Sequence, residues 1–198
     1  MKKKNISIYV HWPFCTSKCP YCDFNSHIKR EIDNNEWSLA LTTELNYLFE
    51  KYFKEKESHT LKSIFFGGGT PSLMDPAIVK KIINESKYLF NQNANESVEI
   101  SLEANPGSIF KDKLKGFFDS GINRISIGVQ SFDRENLRFL GRDHSVYDAK
   151  KALELSRKIF KNLSFDLIYA LPEQSIESWE YSLNEAFQFE PDHLSLYQ

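Results

Sequence analysis

Short runs of β-branched and aromatic residues alternate with helical patterns along the whole chain, and this alternation restricts the fold more than any other feature. Strands are expected at Ile6–Trp12, Ser63–Phe66, Val98–Glu103, Arg124–Val129, Asn162–Leu167 and His193–Tyr197. Between them, helical spacing puts Trp37, Leu41, Leu45, Leu48, Phe49 and Tyr52 on one face. Further helices are expected over Pro76–Phe90, Ser108–Ser120, Val146–Phe160 and Ile176–Phe189. Asp75-Pro76 and Ser108 read as helix starts, and Gly121 as a stop. Six strands separated by five helices are repeated βα units, hence a parallel sheet with right-handed crossovers. A doubly wound sheet and a barrel or partial barrel both satisfy this pattern, and both gather function at the carboxyl ends of the strands.

The 198 residues suffice for one domain with a real core, and no Gly-, Ser- or Pro-rich linker divides them. Charged Lys54–His59 reads as a solvated helix end and turn. With 25 basic and 27 acidic residues the net charge is −2, so the basic excess of a nucleic-acid binder is missing. Lys2, Lys3 and Lys4 are followed by Ile6–Trp12, too short for a signal-peptide core, and no stretch reaches the length of a membrane span. A cytoplasmic protein is expected.

All three cysteines lie in Cys15-Thr-Ser-Lys-Cys19-Pro-Tyr-Cys22, spaced C-x3-C-x2-C. An odd, tightly clustered set is a poor disulfide framework and a better metal site. Three thiolates can hold three corners of a cubane cluster and leave the fourth iron open to a small chelator, such as an amino acid's amine and carboxylate. A Cys3His zinc site with His11 or His27 is the alternative. Gly67-Gly68-Gly69-Thr70-Pro71-Ser72 follows the second expected strand; such a run lets backbone approach a ligand closely, or simply makes a turn.

Tyr9-Val-His-Trp-Pro-Phe-Cys15, the cysteine loop and Gly67–Ser72 together resemble the radical S-adenosylmethionine (SAM) superfamily. Ser101–Gly107, Gly128–Asp133, Leu140-Gly-Arg-Asp-His144 and Asp166–Pro172 are similar to the branch that holds oxygen-independent coproporphyrinogen III oxidases and HemW-type heme chaperones. The resemblance spans essentially the whole chain. It implies an α/β fold, a six-unit (β/α)6 partial barrel with parallel strands, and a [4Fe-4S] cluster on Cys15, Cys19 and Cys22. It also implies a SAM site lined by Tyr9, Tyr21, Gly68, Gly69, Thr70, Glu103, Gln130, Arg142 and Asp166. The chemistry of these residues agrees. Glycine-loop carbonyls accept from an ammonium, Glu103 accepts from a ribose diol, and the Arg142 fork matches a carboxylate. Gln130 and Asp166 can bond ribose or amine groups. Structural roles compete: a Glu103–Arg142 ion pair, a loop cap by Gln130, an orienting bond from Asp166, and packing by Tyr9 and Tyr21. His144 reads as a surface or helix-capping residue, with an approach to the site as the alternative.

Within the branch, the resemblance assigns the oxidases a fourth cysteine after one intervening residue, two positions beyond the third; Phe24 stands there in this chain. The leading expectation is therefore a heme-chaperone-like protein, with heme or porphyrin, a heme-acceptor protein and a reductant protein as partners. The alternative is an oxidase-type enzyme, in which SAM cleavage starts hydrogen abstraction from a porphyrinogen propionate. A zinc or electron-transfer module is a further alternative. Members of the branch continue well beyond the segment matching His193–Gln198, so residues 1–198 are expected to be the core domain without the family's C-terminal domain. An exposed edge strand and marginal solubility follow from that expectation.

Overall fold

The computed structural model describes residues 4–29, 31–53, 59–90 and 97–198. Six parallel strands form the main sheet: β1 (Lys4–Trp12), β4 (His59–Gly68), β5 (Glu99–Ala104), β6 (Arg124–Gln130), β7 (Asn162–Ile168) and β8 (His193–Tyr197). Two short strands, β2 (Phe14–Cys15) and β3 (His27–Ile28), pair with each other around the cysteine loop. The sequence pattern did not contain them, because two residues are too few to show a period. The helices are α1 (Asn34–Tyr52), α2 (Pro76–Leu89), α3 (Lys111–Asp119), α4 (Arg134–Phe139), α5 (Val146–Ile159) and α6 (Ile176–Phe187).

Strand order along the sheet is β1-β4-β5-β6-β7-β8, the same as chain order. A doubly wound sheet reverses direction at a switch point. Here every crossover steps the same way, so crossovers of one hand put all helices on one face and curl the sheet into a partial barrel. That ordering decides between the two architectures left open by the alternation alone. The helix-facing residues make the core: Ile64 and Phe66 of β4, Ile100 and Leu102 of β5, Ile125 and Ile127 of β6, and Leu163, Phe165 and Leu167 of β7 are all 0–1 % exposed. Alternate residues of the same strands turn to the inner face.

Local sequence explains most element ends. Asp75 caps α2, its Oδ1 accepting from the Ala77 amide at 2.8 Å, with Pro76 in the first turn. Ser145 and Asp148 close a reciprocal capping box on α5. Gly121, at φ +106°, ends α3 as expected.

Four readings need correction. Ser108 does not start a helix: it closes a 3-10 turn, Pro106–Ser108, whose cap is Asn105, and α3 begins only at Lys111. The Ser108 hydroxyl is engaged by Ser72 and by the Asn105 carbonyl, so it has no helix amide to cap. On α1 the buried residues are Thr42 and Phe49, with Trp37, Leu41 and Leu45 packed at the edge, while Leu48 and Tyr52 are exposed. The helix is rolled toward Thr42 because that hydroxyl returns to the Ser38 carbonyl at 2.8 Å and so can be buried. His59 opens β4 instead of ending a solvated turn; residues 54–58 lie outside the described residues. Finally, His144 is not at the surface and caps no helix among the described residues. It is buried, its Nε2 lies 3.2 Å from the Val129 carbonyl, and burial lowers its pKa to about 4. No helix among the described residues is long and apolar enough to cross a membrane.

Candidate functional site

The cysteine loop leaves the carboxyl end of β1. Cys15 sits on β2 and is buried; Cys19 and Cys22 are half-buried and joined by a turn in which the Cys22 amide donates to the Cys19 carbonyl at 3.0 Å. None of the three is in a disulfide. Polar donors face two of the sulfurs: the Thr70 hydroxyl donates to Cys15 Sγ and Arg142 Nη1 to Cys19 Sγ, each at 3.3 Å. Such donors suit thiolates better than thiols. Among the described residues no three His, Cys, Asp or Glu side chains converge closely enough to hold a single metal ion. His11 is engaged on both ring nitrogens, by the Tyr9 hydroxyl at 3.2 Å and the Asn25 carbonyl at 3.0 Å, and so is not a ready fourth zinc ligand. His27 is exposed on β3 and joins no such group.

The glycine run lies against this loop. The Gly69 amide donates to the Trp12 carbonyl at 2.7 Å and the Thr70 amide to the Phe14 carbonyl at 2.8 Å. A Cβ on Gly69 would stand 2.8 Å from the Phe14 carbonyl oxygen and 3.0 Å from Cys15 Sγ, so backbone-to-sulfur proximity requires glycine there. The Gly68 amide donates to Glu103 Oε2 at 3.3 Å.

Glu103 and Asp166 face the inner side of β5 and β7. Burial raises the Glu103 carboxyl to about 7, opposed by the Gly68 amide and reinforced by the charge of Asp166. Burial also raises Asp166, which accepts from Ser195 on β8. No ion pair among the described residues joins Glu103 to Arg142. Arg142 instead donates from Nη1 to Cys19 Sγ and, at 3.3 Å, to the Tyr21 hydroxyl, and from Nη2 to the Gly128 carbonyl at 3.0 Å. Its Nε is buried with no hydrogen-bond partner among the described residues, an orphaned donor at the site.

Gln130 ends β6 at φ +69°, a left-handed backbone uncommon for a side-chain-bearing residue. Its amide nitrogen lies 2.9 Å from where a Gly128 Cβ would stand, so it folds back over Gly128. Backbone held this way at the rim of a site is a pattern associated with function. Tyr9 is exposed and stacks on Phe65 at 6.1 Å; Tyr21 is exposed and held by Arg142.

The structure thus brings eleven of the twelve sequence-selected residues to one end of the sheet through direct bonds, contacts or adjoining strand ends; Tyr9 reaches it through His11 and by its charge coupling to Glu103. Sequence reasoning missed Gly141, at φ +63°, where a Cβ would meet Pro20 Cδ at 2.5 Å. It also missed Ser195; the available signal was the β7–β8 register, which sets Ser195 opposite Asp166.

The sequence matches the Radical SAM superfamily over residues 9–186. It is 40% identical over 97% of its length to the mitochondrial radical S-adenosyl methionine domain-containing protein 1 of Danio rerio, of which it covers 42%. It is 38% identical to the heme chaperones HemW of Haemophilus influenzae, over 98% of this chain and 50% of that protein, and of Escherichia coli, over 100% and 51%. Among solved structures it superposes on coproporphyrinogen III oxidase from Escherichia coli, described as a radical SAM enzyme, with a TM-score of 0.84 and 30% identity over 98% of this chain and 44% of that one. The chain spans about half the length of the curated relatives it matches, 42–51% of them.

Proposed function

The chain belongs to the radical SAM superfamily, and on that premise we propose that Cys15, Cys19 and Cys22 hold a [4Fe-4S] cluster whose open iron takes SAM. The donor set fits: three thiols outside any disulfide, two of them faced by hydrogen-bond donors, and no fourth cysteine in the sequence to close the site. When bound, the cluster supplies one-electron reducing chemistry to the sulfonium ligand. The protein's part is positioning. The orphaned Arg142 Nε is directed to the ligand's carboxylate, and Glu103, Gln130 and Asp166 bind its ribose and amine groups. Gly68, Gly69 and Thr70 form the backbone wall beside it, and Tyr9 and Tyr21 cover it. Residues 1–198 are the core domain of this architecture.

Its role is heme handling in the manner of the chaperones, with a heme-acceptor protein and a reductant as partners. One observation carries this over the oxidase reading: Phe24, 58 % exposed, stands where the resemblance puts the oxidases' fourth cysteine. The relatives' names support it, two of them being heme chaperones.

Anaerobic reconstitution with iron and sulfide, reduction, and EPR with and without SAM test the cofactor reading. The expected result is a [4Fe-4S]⁺ signal that changes when SAM is added; a signal indifferent to SAM rejects the open iron. Cys22→Ala is expected to abolish iron uptake while the iron-free chain unfolds as before. Heme titration followed by the Soret band tests the chaperone role, and turnover of coproporphyrinogen would replace it with the oxidase.

A further inference from the structure

The geometry points to Asp143 as a positioning residue for the cluster: one carboxylate ties the cysteine loop to the ends of the neighbouring strands and keeps it folded over its metal. The inference rests on the cluster reading above and adds a residue outside the set selected from sequence. Asp143 Oδ2 accepts from the Thr16 hydroxyl at 3.3 Å, and Thr16 immediately follows Cys15. The other oxygen, Oδ1, accepts from Asn105 Nδ2 at 3.1 Å, just past the end of β5. Asn105 is itself fixed on two more sides. Its Oδ1 accepts from the Gly107 amide at 3.0 Å, and its own amide donates to the Ser72 hydroxyl at 3.1 Å, in the turn that follows the glycine run. Ser72 is 0 % exposed, so the far end of this chain of bonds is anchored in the core.

Three loops from separate parts of the sequence therefore meet on Asp143. The same segment grips the cysteine loop at two further points, Gly141 against Pro20 and Arg142 on Cys19 and Tyr21. Residues 141–143 thus form a strap along the loop, and Asp143 is the contact that connects this strap to the ends of β4 and β5. A cysteine loop released at Thr16 keeps its ligands but opens more often, and an iron–sulfur cluster is lost through such openings.

The test follows iron release to a ferrous chelator from the anaerobically reconstituted chain. Asp143→Ala is expected to release iron about tenfold faster, the size that follows from losing hydrogen bonds to a charged group. Thr16→Val is expected to act in the same direction by a smaller factor. The double variant should be no faster than Asp143→Ala alone, because both act through one link. Asp143→Asn, whose amide can still bond Thr16 and Asn105, should restore slow release. The unfolding free energy of the iron-free chain should fall by no more than this tenfold factor, about 1.4 kcal/mol. Wild-type release from Asp143→Ala, multiplying effects in the double variant, or equal loss from the Asn and Ala substitutions would each overturn the inference. Amide exchange of residues 15–22 in the iron-free chain gives a readout that needs no cluster: Asp143→Ala should exchange faster there, and unchanged exchange overturns the strap. If wild type takes up no iron, the cluster reading fails, and exchange alone decides the role of Asp143.

Discussion

On the helix-covered face of the sheet, β5 and β6 present Ile100, Leu102, Ala104, Ile125, Ile127 and Val129, all buried. On the inner face the same two strands present Glu99, Ser101, Glu103, Arg124, Ser126, Gly128 and Gln130. Arg124 is braced there by Glu99, Ser101 and Ser164 at 3.2–3.5 Å. Successive residues of one strand therefore do opposite work. The helix face gains stability from apolar area removed from water. The inner face holds half-buried charge that a hydrophobic core would not tolerate without partners. Stability and site chemistry are thus separable in this fold by a step of one residue.

Substitutions on either face put that separation at risk. The largest effect is expected from Phe165→Ala on the helix face, at 0 % exposure: a loss of about 3–5 kcal/mol in unfolding free energy by denaturant titration. Cluster uptake per folded molecule should be unchanged; a specific loss of iron in the folded fraction would refute the separation.

Next is Glu103→Gln on the inner face, read through pH. The Glu103 carboxyl titrates near 7 in the fold, above the ordinary glutamate value, so the folded state holds its proton longer than the unfolded state. That contribution is intact below pH 4.5 and is lost as pH rises through about 7, by at most about 3 kcal/mol. Glu103→Gln should thus match wild type at pH 4.5 and be the more stable protein at pH 8, while binding SAM more weakly. His144 works in the opposite direction: its pKa near 4 makes the fold lose stability as pH falls from 6.5 toward 4. Equal stability of wild type and Glu103→Gln at pH 8 would show the carboxylate to be well solvated.

Gly141→Ala comes third. A side chain at φ +63° costs roughly 1–2 kcal/mol, and its Cβ would also press on Pro20, so iron retention should fall along with the melting temperature. Ser145→Ala, which removes the α5 capping box and none of the bonds to the cysteine loop, is expected to cost about 1 kcal/mol and leave iron retention alone.

Much of this architecture was legible in the sequence because its causes are local. Short runs of β-branched and aromatic residues marked all six main strands, His193–Tyr197 to the residue, and Asp75-Pro76 and Gly121 marked helix ends through capping and backbone preference. The cysteine spacing and glycine run drew attention to one end of the sheet for the same reason: each motif lies within a few residues of chain. Ser108 misled because a hydroxyl before an apolar run looks like a cap whichever group it finally bonds.

The βα repeats, the cysteine loop and the residue types around it were thus written in the chain itself. Folding in three dimensions added the rest: the strands run in chain order, Arg142 grips Cys19 and Gly128, Gln130 turns back at a left-handed φ, and Thr16 meets Asp143. Thr16 and Asp143 are 127 positions apart. Periodicity and capping act over a turn or a pleat, whereas such a bond exists only after successive crossovers have brought distant loops to the same end of the sheet.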